Sequence, residues 1–330
     1  MSEPAERLLA RLGIHRIETP SPFSAVTTNS YFIDGDEPTL IDSGLATEEA
    51  YESVLAGLAH IGRKIADIKR IILTHGHADH RALAPRIVEE TGAEAFCHPL
   101  EIGKVTYVSQ EQKTRVNSEA TAFFRTMGVP EESIPALVEG PKSPTIKPRL
   151  KHVSFLNDAE EIQLGMVSLQ VLHTPGHSSG SICLYEPDNR LLFTGDTLLP
   201  TSRITALIEL DMLLKNPEYD PLKQHLESLQ RLFTLQAAHV LPGHGEDFHE
   251  YESVVRELGD RHEKRQRHIL RALRHEPRTL YEICRSVFLF ASPDDLFLAL
   301  SEVLGNIQIL LQKRIVTEHY RERIAYYEKA

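Results

Sequence analysis

Short apolar runs alternate with turn residues over the first 75 positions. Ser30–Ile33 and Thr39–Ile41 are strand-like and are split by Asp34-Gly35-Asp36, the pattern of a hairpin. Ala, Leu and Ile recur at helical spacing over Ala46–Ile61. Arg70–Leu73 reads as a short buried strand that runs straight into Thr74-His75-Gly76-His77. Ala82–Thr91 then reads as a helix stopped by Gly92, and Ala95–Cys97 as the next strand. This alternation predicts a domain of mixed strands and helices.

Residues 101–150 break the pattern. They are polar and helix-prone, with Met127-Gly128-Val129-Pro130 in the middle and prolines at 135, 141, 144 and 148, which predicts a helical insertion. Strands resume at Val167–His173, Ser181–Tyr185 and Leu191–Thr194, the last two joined by the turn Glu186-Pro187-Asp188-Asn189. Pro221–Leu235 follows as a helix and Ala238–Leu241 as a strand. Beyond about residue 258 three helical patterns appear, Arg261–Arg274, Thr279–Phe288 and Pro293–Lys313. Two short strands, Ile315–His319 and Ile324–Tyr327, close the chain. The organisation expected is one domain over 1–258, carrying the 101–150 insertion, and a small one over 259–330.

Composition narrows the function classes. The 330 residues carry 36 Lys+Arg against 47 Asp+Glu, a net charge of −11. So acidic a chain is a poor candidate for coating anionic membranes or duplex DNA. Residues 261–330 differ, with 13 Lys+Arg and 9 Asp+Glu. No apolar run is long enough to span a bilayer, and the amino-terminal stretch lacks the pattern of a signal peptide. The three cysteines, Cys97, Cys183 and Cys284, lie far apart, near none of the motifs described next. A cytoplasmic location is expected. The unusual figure is 17 histidines against no tryptophan.

The histidines cluster where chemistry would need them. Thr74-His75-Gly76-His77-Ala78-Asp79-His80 places four ligand-type side chains directly after an apolar strand. Three more motifs each follow a strand: Pro175-Gly176-His177, Thr194-Gly195-Asp196 and Pro242-Gly243-His244. Each puts a glycine before the ligand-type residue, as a sharp turn requires. Together they supply five histidines and two aspartates, enough for two metal ions that share a carboxylate.

In this order, HxHxDH, PGHSxGS, TGD and PGHG resemble the metallo-β-lactamase-fold hydrolase superfamily, with a metal site of the glyoxalase II and ribonuclease Z type. The resemblance covers roughly residues 14–250. It implies an α+β fold, a four-layer αββα sandwich. By motif, His75, His77 and His177 would hold one metal; Asp79, His80 and His244 would hold the second; Asp196 would bridge them. Asp79 is also the candidate catalytic residue. Asp42, in Leu40-Ile41-Asp42-Ser43-Gly44, matches the superfamily's buried carboxylate that supports the site without binding metal. The donor set suits two divalent ions, Zn²⁺ first, with iron and manganese using similar sites. Such a pair lowers the pKa of bridging water and polarises the scissile group. Two departures from the family stand out. Arg81-Ala82-Leu83-Ala84 replaces the small residues common after the motif, and the stretch between His80 and His177 is long.

The carboxyl-terminal region resembles the winged-helix domain appended to a branch of these hydrolases. The branch includes bacterial hydrolases, an endoribonuclease and thioesterases that release polyketides from carrier proteins. The expected function is hydrolysis of a small ester, thioester or lactone. The alternative is a metal-dependent endoribonuclease acting on single-stranded RNA, for which Arg203 and the Arg261–Arg274 cluster are the local candidates. A non-enzymatic regulator on a dead hydrolase is a third reading, and the full ligand set argues against it. A small-molecule substrate and a homodimer, with no membrane, complete the expected partners. The stripe Leu296, Leu300, Leu304, Ile307 and Leu311, with Phe288-Leu289-Phe290 before it, suits a packed core.

Overall fold

Side chains alternate between the two faces of a strand, and that period of two sorts the apolar residues of the first sheet. A computed structural model describes residues 5–20, 27–139, 148–200, 206–216, 218–249, 251–288 and 295–330. Arg203, Leu289, Phe290, Pro293, Asp294 and residues 140–147 of the insertion lie outside the described residues. The first sheet runs β1 (Ile14–Thr19), β2 (Thr28–Ile33), β3 (Thr39–Ile41), β4 (Arg70–Ile72), β5 (Glu94–Cys97) and β6 (Ser154–Phe155), in that order. β1 to β3 are antiparallel, and β3 to β6 are parallel. The expected hairpin is present, with Tyr31 opposite Ile41.

A second sheet holds β7 (Glu161–Leu164), β8 (Val167–His173), β9 (Ile182–Glu186), β10 (Leu191–Gly195) and β11 (His239–Pro242). They form a meander closed by a parallel β10–β11 pair. The Glu186 carboxylate accepts from the Asp188 and Asn189 backbone N–H groups, which fixes the β9–β10 turn.

Tyr31, Ile33, Ile41 and Ile72 join Val171, Leu184, Phe193 and Leu241 in the core between the sheets. Their strand neighbours Phe32, Leu40 and Ile71 point the other way. They meet Val54 and Leu58 of the helix Glu48–His60 and Ile87 of the helix Ala84–Thr91. On the second sheet's far side Arg231 donates to the His173 carbonyl and Ser228 to that of Pro175, from the helix Pro221–Phe233. The four layers are those expected from the resemblance.

By contacts the chain forms two compact units. The first takes the described residues within 1–107, 143–204 and 228–254; the second takes those within 108–142, 205–227 and 255–330. Residues 108–139 of the insertion therefore group with the carboxyl-terminal region, as do the described residues of 205–227, while 101–107 and 148–150 stay with the first unit. Phe124, Met127 and Ile134 share one core with Ile269, Ile283, Leu300, Ile307 and Tyr327. In this unit helices span Gln110–Thr126, Leu280–Val287 and Leu296–Gln312, and an antiparallel ribbon joins β12 (Val316–Arg321) to β13 (Ile324–Lys329). The helix read from Arg261 begins earlier, at Tyr251.

Every position from Ala299 to Ile307 is buried, polar Ser301, Glu302 and Asn306 included, so the middle of Leu296–Gln312 is enclosed on all sides. Leu310 completes its stripe, while Leu311 is only partly buried. Glu302, buried on this helix, is met by Arg261 and Arg265, each at 2.7 Å. Among the described residues no helix is long and apolar enough to cross a membrane.

Candidate metal centre

The ligand-type residues all stand just beyond the carboxyl ends of β4, β8, β10 and β11, on one unit of the fold. His75 and His77 leave β4 on a short loop. Asp79 and His80 follow on the helical turn Ala78–Arg81, which has His77 as its cap residue. The cluster is thus delivered partly by a loop and partly by a helix, where the sequence suggested a loop alone.

Gly195 has φ +47°, a left-handed conformation that turns the chain immediately before Asp196. Gly243 has a different reason to be glycine. A Cβ there would lie 2.6 Å from Asp196 Oδ1 and 2.8 Å from His80 Cε1.

Seven side chains come together. His75 Nε2 and His177 Nε2 each lie 2.9 Å from His77 Nδ1. His80 Nε2 lies 3.2 Å from His244 Nε2, which is 3.4 Å from Asp79 Oδ2. Asp196 stands between these groups. Its Oδ1 is 3.4 Å from His80 Nε2, and its Oδ2 is 3.5 Å from both His177 Nε2 and His244 Nε2. Three sets have ligand atoms within 4.8 Å of one another: His75–His77–His177, His75–His80–Asp196 and Asp79–His80–His244.

The outward nitrogens of three rings are fixed. His80 Nδ1 is 2.8 Å from Asp42 Oδ2, and His244 Nδ1 is 2.9 Å from the Thr27 carbonyl. Thr74 Oγ1 donates to Asp42 Oδ2 at 2.7 Å, so at 3.1 Å it accepts from His75 Nδ1. Each of these three imidazoles consequently turns Nε2 inward, the orientation that hydrogen-bonded support gives a metal-binding histidine. His77 Nδ1 faces two imidazole nitrogens and can satisfy at most one of them with a proton. Asp196 Oδ1 is buried without a hydrogen-bond partner. A converging set of lone pairs plus an orphaned carboxylate oxygen fits divalent cations.

The charges lead to the same fit. Burial holds the His75 and His77 imidazoles below their ordinary range. Burial also opposes charge on His80 and His244, but Asp196 overrides it, with Asp42 and Asp79 helping at His80. His80 is driven well up and His244 to about 10. Burial would raise Asp79, yet His80 and His244 hold it at about 2. The two carboxylates demand nearby positive charge.

Asp42, expected behind the site, is there. It is buried, with φ 56°, and also accepts from the Thr74 N–H at 2.8 Å. Other supports escaped the sequence reading. Asn29 Nδ2 donates to the Pro242 and Gly245 carbonyls and Tyr31 Oη to that of Pro242, holding the His244 loop. A polar Asn within the fully buried β2 is the signal that could have found it. Cys183 corrects another expectation. Its Sγ lies 3.3 Å from Thr174 Oγ1, so one cysteine does back a motif loop.

The layered fold and this cluster define a metallo-hydrolase, and the chain belongs to the metallo-β-lactamase superfamily, whose model matches residues 24–244. Among its relatives is the "Probable metallo-hydrolase YqjP" of Bacillus subtilis, 28% identical over 317 residues that cover 94% of this chain and 96% of that protein. Human "Acyl-coenzyme A thioesterase MBLAC2" is 28% identical over 252 residues, covering 72% of this chain and 79% of the relative. The metallo-beta-lactamase family protein TTHA1429 from Thermus thermophilus superposes with a TM-score of 0.79 at 26% identity, covering 96% of this chain and 99% of that one. The chain is an enzyme of the metal-dependent hydrolase class.

Proposed function

We propose that the enzyme hydrolyses a small acyl ester, with an acyl-thioester as the favoured substrate, using two divalent ions. His75, His77 and His177 would hold one ion, and Asp79, His80 and His244 the other, with Asp196 shared. The observation that carries this reading is the Asp196 carboxylate, whose two oxygens face histidines of both groups. Imidazole and carboxylate donors favour Zn²⁺, with iron and manganese as alternatives. Bound together, two such ions supply an activated water near neutral pH and a Lewis acid for the acyl oxygen.

The chain's own residues orient and hold. Asp42 keeps His80 turned inward, and Thr74 does the same for His75. Asp79 is more open to solvent than Asp196, with side-chain exposures of 23% and 10%. Its carboxylate would therefore be the one placed to accept a hydrogen bond from the attacking water and orient it. A thiol, with a pKa of about 8.5, can depart as thiolate and needs little help from an acid. The thioesterase name of the human relative supports the thioester preference. Of the Arg261–Arg274 cluster that the endoribonuclease reading would use, Arg261 and Arg265 are engaged by Glu302.

The test is metal analysis coupled to a substrate panel of acyl-thioesters, esters, lactones, phosphodiesters and RNA, run with Zn²⁺, Mn²⁺ and Fe²⁺. Close to two ions per chain and turnover of acyl-thioesters are expected. Asp196→Ala should keep the fold and lose turnover by at least about 100-fold, as removal of a metal-supporting group does. An Asp196→Ala protein that retains both ions and full activity would rule out the shared carboxylate.

A further inference from the structure

Glu101 has no solvent exposure and lies on the 3-10 turn Pro99–Glu101 that follows β5. A buried carboxylate is costly unless hydrogen bonds replace its lost water. Four donors reach this one. Oε2 accepts from the Gly76 backbone N–H at 2.7 Å. Oε1 accepts from the Gly180 N–H at 2.7 Å, from Ser178 Oγ at 2.5 Å and from Lys104 Nζ at 2.9 Å. Gly76 separates His75 from His77, while Ser178 and Gly180 belong to the loop that carries His177. A single side chain thus ties together the two loops that present these three histidines.

The glycines of both loops are shaped by that side chain. Neither Gly76 nor Gly180 has a positive φ, so backbone conformation does not demand glycine at either position. Space does. A Cβ on Gly76 would fall 2.5 Å from Glu101 Oε2, and one on Gly180 2.8 Å from Oε1. The Gly76 residue is gripped from its other side as well, where Arg81 Nε donates to its carbonyl at 2.9 Å. The His80 side of the centre is supported separately, by Asp42.

We infer that Glu101 is a positioning residue that sets the spacing of the two loops and so the divalent-ion affinity of the His75–His77–His177 group, leaving that of Asp79–His80–His244 unchanged. The inference rests on the two-ion reading above.

The test titrates the full-length, metal-stripped protein with Zn²⁺ against a chromophoric chelator, and with Co²⁺ to follow its d–d absorption. Wild type takes two ions. In Glu101→Gln an amide NH₂ replaces one acceptor, and one of the two affinities should fall about 10- to 100-fold while the other stays within about threefold. Co²⁺ absorption should then fill in two separated steps. Ser178→Ala removes one donor and leaves the carboxylate, so it serves if Glu101→Gln does not fold, with a loss of about threefold to tenfold at one ion expected. Unchanged affinities in either folded variant, or equal weakening of both ions, would overturn the inference while sparing the two-ion reading. A wild type that takes no ion would instead overturn the two-ion reading.

Discussion

Asp196, Asp79 and Asp42 surround the imidazoles of His80 and His244. His80 is held well above its ordinary range and His244 at about 10, in each case against burial and chiefly through Asp196. These carboxylates therefore favour a proton on the His80–His244 pair in the metal-free protein, and a cation that takes Nε2 displaces it. Metal uptake should release protons near pH 7, and the apparent affinity should rise with pH from neutrality towards 10. Calorimetry in buffers of different ionisation enthalpy measures this release, and a buffer-independent heat would contradict it. The seven ligand-type residues were legible in the sequence because each stands in a motif that follows an apolar strand. Glu101 was not. Apart from Lys104, its partners lie 25 to 79 positions away, and Pro99-Leu100-Glu101-Ile102 reads locally as an ordinary helix start.

Strand and helix ends are where local sequence speaks most directly. Thr279 Oγ1 accepts from the Glu282 N–H at 3.2 Å, and the Glu282 carboxylate accepts from the Thr279 N–H at 2.8 Å, a complete capping box for Leu280–Val287. Thr279→Ala should destabilise by about 1 kcal/mol, read as a lower denaturant midpoint, since it leaves a helix N–H without its acceptor. An unchanged midpoint would mean that the cap contributes nothing. The sequence placed this helix within a residue or so, because a cap, an acid and an apolar face all agree there. It placed the start of Tyr251–Ala272 ten residues late, although Tyr251, Val254, Val255 and Leu258 already follow helical spacing there. β6 escaped it altogether. Two residues held by pairing with β5 carry no period of their own.

Across the whole molecule, sequence proximity misleads about which segments share a core. The change of character near residue 258 was visible, but the helices at 110–139 belong to the same unit. Deleting 259–330 should strip Ile269, Leu300 and Ile307 from Phe124, Met127 and Ile134, leaving an apolar surface in water. Light scattering of the truncated protein should show aggregation, whereas a monodisperse truncation would refute the shared core. The same arrangement has a consequence during synthesis. Phe124 and Ile134 leave the ribosome long before the chain that covers them, because Leu300 and Ile307 are made far later. At about 5–20 residues per second that wait is roughly 10–30 s. For that interval the nascent chain carries a naked apolar hairpin, which is where a chaperone would find its first hold.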